Sequence, residues 1–191
     1  GTATNLLANP GFENGVFQTE WSTSDYLMLY GDAHSGSYYM WLGGYWNAND
    51  YIWQEVSIPA GQKAVLDFWY KVEPGSSVAD AKDTMFVEGD SISNTKLLTL
   101  FSIAAPTVAT GWKQSAPLDL SAFAGQTIRI RFSGTTGTSS KTSFYIDDTA
   151  LTLVGAISAN TSGSTANIVF SGNRSNYSIV KNASTFTVTN K

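Results

Sequence analysis

Two adjacent carboxylates in a predicted strand are the residues whose chemistry most needs an explanation. Residues 144–151 alternate apolar and polar side chains as a half-buried strand does, yet Asp147 and Asp148 lie next to each other within this stretch. Like charges this close repel each other unless a positive group lies near them. Two interpretations are open: the two side chains point to opposite faces and one caps a turn, or one of them binds a cation whose other ligands come from elsewhere.

Residues for nucleophilic catalysis are scarce in this chain. It has no cysteine and a single histidine, His34, so a Ser/His/Asp hydrolase would have to use that residue. Turn chemistry explains the neighbouring serines Ser35 and Ser37 equally well. A two-carboxylate glycosidase stays open, because fifteen acids are present and a sequence does not show their separations. No phosphate loop or dinucleotide fingerprint occurs, and the sequence predicts a protein that is not an enzyme.

Aromatic side chains between residues 38 and 70 form the second set with binding chemistry. The C–H faces of a sugar ring stack on indole and phenol rings, while its hydroxyls need amides and acids around them. The predicted carbohydrate-binding residues are Tyr45, Trp46, Asn47, Asp50, Trp53 and Trp69. Trp53 and Trp69 could also lie on one sheet face, beside Glu55, Asp67 and Lys71. The alternative is that these aromatics are ordinary strand or core residues, as we expect for Phe12 and Trp21.

Composition and charge narrow the class of partner. Only 14% of the residues are charged and the net charge is −4. Residues 1–62 contain six acids and no Lys or Arg, so this region should attract cations and repel nucleic acid. No apolar run approaches the roughly 18 residues that a membrane span requires, and the sequence begins without a signal-peptide pattern. With its abundant Ser, Thr, Asn and Gly, the chain is expected to be secreted, with any signal peptide already removed.

Short alternating segments separated by turns predict an all-β fold. The clearest of them are residues 51–58, 64–72 and 127–133. No segment has a helical repeat of more than about three turns. Many short strands at regular spacing predict a two-sheet antiparallel β-sandwich of the jelly-roll type.

The composition shifts after Asp148, beyond which no acidic residue occurs. We predict a domain over residues 1–155, a Ser/Thr/Asn/Gly linker over 156–166 and a short β-rich tail over 167–191. Strands are expected in the tail near 167–170, 177–180 and 185–189. About 25 residues are too few to bury a stable core, so the tail either packs on the main domain or begins a truncated further module.

Five short motif groups occur in an order that resembles the jelly-roll carbohydrate-binding modules appended to secreted bacterial glycoside hydrolases and peptidases. These groups are Asn5-Leu6-Leu7 with Asn9-Pro10-Gly11-Phe12-Glu13, then Trp21, Ala33-His34-Ser35-Gly36-Ser37, residues 56–61 with 118–126, and Phe144-Tyr145-Ile146-Asp147-Asp148 with Leu151. The resemblance covers about residues 5–153 and implies the same fold.

The resemblance also implies a structural calcium ion. Its ligands would be Glu13 of the opening strand, oxygens of the loop with Ser35 and Ser37, and Asp147 or Asp148 of the closing strand. Calcium accepts about six to eight oxygens, which carboxylates and a glycine-containing loop can supply. The ion would join both ends of the domain.

The function implied by the resemblance is a non-catalytic module of a secreted multidomain bacterial protein. It would bind a polysaccharide or other glycan through surface aromatics and remain covalently linked to catalytic or adhesive domains. The alternative is a structural or protein-contact accessory domain of a secreted peptidase or adhesin, with no glycan ligand. Burial of Tyr45 and Trp46 within the domain would favour that alternative.

Overall fold

The described part of the chain is all-β. A computed structural model describes residues 4–154 and the strands at 157–160, 167–170, 177–182 and 185–190. Apart from a 3-10 turn at Ser121–Phe123, the regular elements in these ranges are strands. None of the residues described belongs to a helix long and apolar enough to cross a membrane.

The main body has eleven strands. These are β1 (Ser22–Thr23), β2 (Met28–Tyr30), β3 (Tyr38–Gly43), β4 (Asn49–Ser57), β5 (Lys63–Glu73), β6 (Thr84–Asp90), β7 (Lys96–Ala104), β8 (Lys113–Gln114), β9 (Leu118–Asp119), β10 (Thr127–Thr135) and β11 (Ser143–Val154).

Two antiparallel sheets make up this body. The five-stranded sheet has the order β1-β4-β10-β6-β7, and the six-stranded sheet has the order β2-β3-β11-β5-β8, with β9 also paired to β5. Neighbouring strands are mostly distant in sequence, as for β4 and β10 or β3 and β11. Connections therefore cross between sheets instead of forming a simple meander. The predicted two-sheet β-sandwich is confirmed.

Large apolar side chains from both sheets fill the space between them. Phe68 of β5 and Phe132 of β10 meet edge to face at 5.1 Å between ring centroids. Trp21 packs on Phe12 and Phe132, and both Phe12 and Trp21 are buried as predicted. Burying a side chain of this kind contributes about 1.5–3 kcal/mol. Inward and outward residues alternate along the strands, so each sheet keeps an outer face of its own.

The N-terminal segment contacts both sheets. The Asn5 amide donates to the Thr149 carbonyl at 2.8 Å and accepts the Leu151 N–H at 2.9 Å, which attaches the segment to β11. The Gln54 side chain of β4 exchanges two hydrogen bonds with the main chain of Ala8. This double attachment brings the residues that follow, including the predicted metal ligand Glu13, to the middle of β11.

The C-terminal segment contains two hairpins. β12 (Ile157–Asn160) pairs with β13 (Asn167–Phe170), and β14 (Tyr177–Asn182) pairs with β15 (Thr185–Asn190). The last three agree with the predicted strands. β12 lies inside the predicted linker, because its partner strand supplies hydrogen bonds that local composition does not reveal. The division into residues 1–155, 156–166 and 167–191 stays a prediction.

Candidate functional sites

A β-bulge brings the two central carboxylates to one loop. Between Asp147 and Ala150 the pairing of β11 with β5 shifts by one residue, and Asp148 has a left-handed φ of 44°. A bulge interrupts the alternation of a strand, and aspartate tolerates this backbone conformation better than most residues. Both carboxylates contact His34 and Ser35. The two side chains therefore do not point to opposite faces, although Asp147 caps the loop as the first interpretation expected.

Asp147 fixes the main chain of this loop. Its buried carboxylate accepts the N–H groups of His34 and Ser35 on Oδ2, at 2.8 and 3.1 Å, and that of Asp148 on Oδ1 at 2.7 Å. Burial raises the pKa of Asp147 to about 6, although these amide donors act in the opposite direction. Asp147 therefore caps the main chain of the loop, and which of the two aspartates would bind an ion stays a prediction.

Asp148 binds the side chains of the same loop. Its Oδ2 lies 2.6 Å from His34 Nδ1, and its Oδ1 accepts the Ser35 hydroxyl at 2.7 Å. The imidazole stacks on Trp69 with 3.7 Å between ring centroids. Since Ser35 donates to the aspartate and not to the histidine, these three residues lack the serine–histidine hydrogen bond of a catalytic triad.

Glu13 holds the far end of the loop. Its Oε1 accepts the N–H groups of Ser37 and Tyr38, both at 2.9 Å. Gly36 has a φ of +62°, and a Cβ at this position would overlap the Glu13 carboxylate. The loop therefore needs glycine at residue 36 for its backbone conformation and for the close approach of Glu13.

Replacing Gly36 with alanine is expected to cost more stability than the left-handed backbone alone explains. That backbone conformation costs an L-residue about 1–2 kcal/mol, and displacement of Glu13 adds to this. Gly61→Ala is the matched control, since Gly61 has a φ of +71° and open space around its Cβ position. Urea denaturation should show a larger loss for Gly36→Ala; equal losses would mean that the Glu13 contact contributes nothing.

Oxygen donors for the predicted calcium lie near one another. A Cβ placed on Gly11 would lie 3.2 Å from Asp148 Oδ1 and 4.0 Å from Glu13 Cγ, so these two acidic side chains border one small space. Two such groups favour a cation. Ser37 turns its N–H, not an oxygen, toward Glu13. Across the described residues, no three His, Asp or Glu side chains form a metal cluster, so a calcium ion here would also need main-chain or water oxygens.

The loop between β3 and β4 exposes two of the predicted aromatics. The side chains of Tyr45 and Trp46 are 46% and 58% exposed. The Tyr45 hydroxyl donates to Asp50 Oδ1 at 2.6 Å, which raises the pKa of Tyr45 to about 12. Asp50 is buried, and its other oxygen accepts the Gly43 N–H at 2.8 Å. The Asp50 carboxylate therefore positions Tyr45, and a direct contact between Asp50 and a ligand stays a prediction.

A neighbouring loop holds the tip of this aromatic segment. Lys141 Nζ lies 4.0 Å from the centroid of the Trp46 ring, an arrangement in which the cation is attracted to the ring face. Asn47 has a left-handed φ of 54° and donates its N–H to the Gly137 carbonyl at 3.0 Å. The side chain of Asn47 is exposed, so the loop presents two rings and an amide from a fixed backbone.

Trp53 lies on the outer face of the five-stranded sheet. Its neighbours there are Tyr51, Arg129 and Arg131, which were not among the predicted binding residues. Tyr51 and Trp53 occupy successive outward positions of β4, about 7 Å apart. Arg131 Cζ lies 4.0 Å from the Tyr51 ring centroid, and Arg129 Cζ lies 4.0 Å from that of Trp53. The inward residues Ile128, Ile130 and Phe132 place both arginines outward. Alternation in β10 could therefore have revealed them.

Loose ion pairs surround these rings. The nitrogen–oxygen distance is 3.5 Å between Arg129 and Glu55 and 3.9 Å between Arg131 and Asp90. It is 3.8 Å between Lys96 and Glu88. Three positive and three negative groups leave this face without net charge. Burial raises the pKa of Asp90, and within the described structure its buried Oδ1 has no hydrogen-bond partner. This oxygen is enclosed by the protein and does not face solvent.

Trp69 lies on the opposite side of the sandwich from Trp53. It belongs to β5 of the six-stranded sheet, while Trp53 belongs to β4 of the five-stranded sheet. The turn at residues 58–62 carries the chain from one sheet to the other, so outward residues of the two strands face opposite directions. The expectation that the two tryptophans share a sheet face is wrong, and His34 covers one side of the Trp69 ring.

A buried lysine completes the outer face of the six-stranded sheet. The Lys71 side chain is 9% exposed, and its Nζ lies 2.8 Å from Asp32 Oδ2. The ammonium also lies 4.7 Å from the Tyr145 ring centroid and 5.4 Å from that of Trp112. Tyr145 and Trp112 therefore pack around the Lys71 ammonium, which is paired with Asp32. They do not form an open platform on which a sugar ring could stack.

Comparison with solved structures shows which proteins share this fold. The carbohydrate-binding module TmCBM61 in complex with β-1,4-galactotriose matches with a TM-score of 0.52 and 22% identity, over 78% of this chain and 98% of that chain. The K3 cleaved adhesin domain of Lys-gingipain from Porphyromonas gingivalis W83 matches with a TM-score of 0.55 and 15% identity, over 75% and 96%. The CBM22-1 xylan-binding domain of Paenibacillus barcinonensis Xyn10C matches with a TM-score of 0.52 and 14% identity, over 80% of this chain and 96% of that chain.

The similarity is confined to structure. No protein-family model and no curated protein sequence matches the chain. The solved structures nonetheless align over nearly their whole length, which confirms the predicted resemblance at the level of the fold. The chain has the jelly-roll β-sandwich fold found in carbohydrate-binding modules and in gingipain adhesin domains.

Proposed function

We propose that this protein is a non-catalytic carbohydrate-binding module that holds a neutral glycan on the outer face of its five-stranded sheet. The observation that carries the proposal is the exposure of Tyr45 and Trp46 in a loop that leads directly into β4, whose outward side bears Tyr51 and Trp53. The alternative, a domain without a glycan ligand, would be favoured by buried Tyr45 and Trp46 rings.

The binding chemistry combines ring stacking with hydrogen bonds to hydroxyls. Arg129 and Arg131 each cover one face of an aromatic ring and hold it in place, which leaves the other ring face for a sugar. Rings held in this way lose little conformational entropy on binding. The exposed side-chain amide of Asn47 suits sugar hydroxyls. Because the charges on this face balance, a neutral glycan fits better than an acidic one.

The proposal extends to the protein that contains the module. We place the module in a secreted bacterial protein, linked covalently to a catalytic or adhesive domain. Binding would raise the effective concentration of that domain near its substrate without any chemical step in the module. A calcium ion held by Glu13 and Asp148, which border one space, would stabilise the bulge and the 34–37 loop. The solved carbohydrate-binding modules of the same fold support the assignment of glycan binding.

Isothermal titration calorimetry of the full chain tests the proposal. The panel contains neutral oligosaccharides, such as xylo- and galacto-oligosaccharides, and acidic ones, such as oligogalacturonate. We expect heat with at least one neutral glycan and weaker binding of acidic ones. No heat with any glycan would overturn the proposed function. Release of shorter products during the titration would show an enzyme and contradict the non-catalytic assignment.

A further inference from the structure

A cavity of about 300 Å³ opens at the edge of the sandwich where β1 and β2 lie. Its floor is apolar and reaches the core, since Trp21, Leu27 and Met40 are buried and line it. Met28 adds a flexible thioether to the wall. This volume is at the lower end of the range for ligand pockets and suits one extended side chain.

Among the residues that line the cavity, Asp25 is the one with a charged side chain. The Gln18 amide is held by Trp21, to whose carbonyl it donates at 2.9 Å and whose N–H it accepts at 2.7 Å. Asp25 lines the cavity and uses Oδ1 to accept the Tyr26 N–H at 2.7 Å. No Lys or Arg is among the lining residues, and none occurs in residues 1–62. The cavity therefore favours a cation.

The rim of the cavity is unusually apolar for a surface. Val16 and Tyr26 line the cavity and are 51% and 91% exposed, and the adjacent Phe17 is 92% exposed. Exposed aromatic and aliphatic side chains grouped in this way are typical of protein contact surfaces. A partner with a surface of its own would bury this rim, whereas a free small amine would leave it exposed.

We propose that this cavity receives the side chain of a lysine from a partner protein. The methylenes would contact Trp21, Leu27 and Met28, and the ammonium would reach Asp25 beside the Tyr26 ring, where cation–π attraction adds to the charge pair. An amino sugar fits less well, because the floor residues Trp21, Leu27 and Met40 offer no partner to the hydroxyls that would reach them. Arginine fits less well because one carboxylate and one hydroxyl satisfy too few of its donors. This proposal does not depend on glycan binding.

An NMR titration of the ¹⁵N-labelled full chain with a series of n-alkylamines tests the cavity. Affinity should rise about fourfold for each added methylene until the cavity is full. Shifts should be confined to amides of residues 16–28 and 40. n-Pentylamine, protonated at neutral pH, should bind about five- to tenfold more tightly than n-pentanol. Shifts elsewhere, or no preference for the amine, would overturn the proposal.

Two variants and two competitors complete the test. Asp25→Asn should abolish the preference for amine over alcohol, and Val16→Trp should block the binding of both ligands. Both substituted residues are exposed. Unchanged spectra for residues outside the cavity would confirm that each variant is folded. A lysine peptide should bind more tightly than the same peptide with norleucine. Failure of Asp25→Asn to reduce amine binding, or tighter binding of glucosamine than of pentylamine, would refute a lysine occupant.

Discussion

Removal of calcium is expected to lower the melting temperature of the full chain by about 5–10 °C. An ion present at about one hundred times its dissociation constant stabilises the folded state by about 2.7 kcal/mol, and each kcal/mol shifts the melting temperature of a chain of this size by about 2–4 °C. The expected ligands are Glu13 and Asp148, whose side chains both border the space beside Gly11, and a cation bound by acidic side chains stabilises the folded state. Differential scanning calorimetry in EDTA and in excess calcium measures the shift.

Substitutions identify the residues responsible for a calcium effect. Glu13→Gln and Asp148→Asn should each remove most of the difference between EDTA and calcium. Glu20→Gln serves as control, because this acid of the same N-terminal region bonds to Asn14 and Thr19, away from the 34–37 loop. An unchanged melting temperature in EDTA for the unsubstituted chain would contradict the calcium site.

Replacing Trp53 with alanine should weaken glycan binding about tenfold or more. Loss of a central aromatic contact in a binding surface commonly costs more than about 1.4 kcal/mol, which corresponds to that factor. The substitution also frees Arg129, which lies 4.0 Å from the ring. Trp46→Ala should weaken binding for the same reason. Titration calorimetry with the best neutral oligosaccharide gives both affinities.

The matched control for these variants is Tyr30→Ala. Tyr30 is 74% exposed and belongs to β2 of the six-stranded sheet, so its removal should leave affinity unchanged. Far-ultraviolet circular dichroism establishes that each variant is folded. Equal losses in all three variants would show a general effect on stability, and no loss for Trp53→Ala and Trp46→Ala would place the glycan elsewhere.

The sandwich could be predicted because alternation is a local property. In β4 and β10 most inward residues are apolar, with Asp50 and Gln54 as buried polar exceptions, and each strand has the predicted alternating burial. The core positions of Phe12 and Trp21 followed from their apolar character and from the turn that precedes Phe12. Strand β12 could not be predicted in this way, since its hydrogen bonds come from β13.

The geometry of the sites depends on pairings between distant residues. Arg129 and Trp53 meet only because β10 pairs with β4, and Trp69 leaves the Trp53 face only because the chain changes sheet between β4 and β5. The bulge at Asp147 and Asp148 depends on the register with β5. A local sequence pattern does not show which strands pair or in what register. The residue types of the sites could therefore be predicted from the sequence better than their arrangement.

The most direct measurement of the central claim is the response of the tryptophan indole N–H signals to a neutral oligosaccharide in a ¹⁵N NMR titration. The chain has six tryptophans, and those on the two outer faces differ in position. Binding on the five-stranded sheet predicts that the indole signals of Trp46 and Trp53 shift while those of Trp69 and Trp112 do not. Shifts of Trp69 and Trp112, with Trp53 unmoved, would contradict the claim.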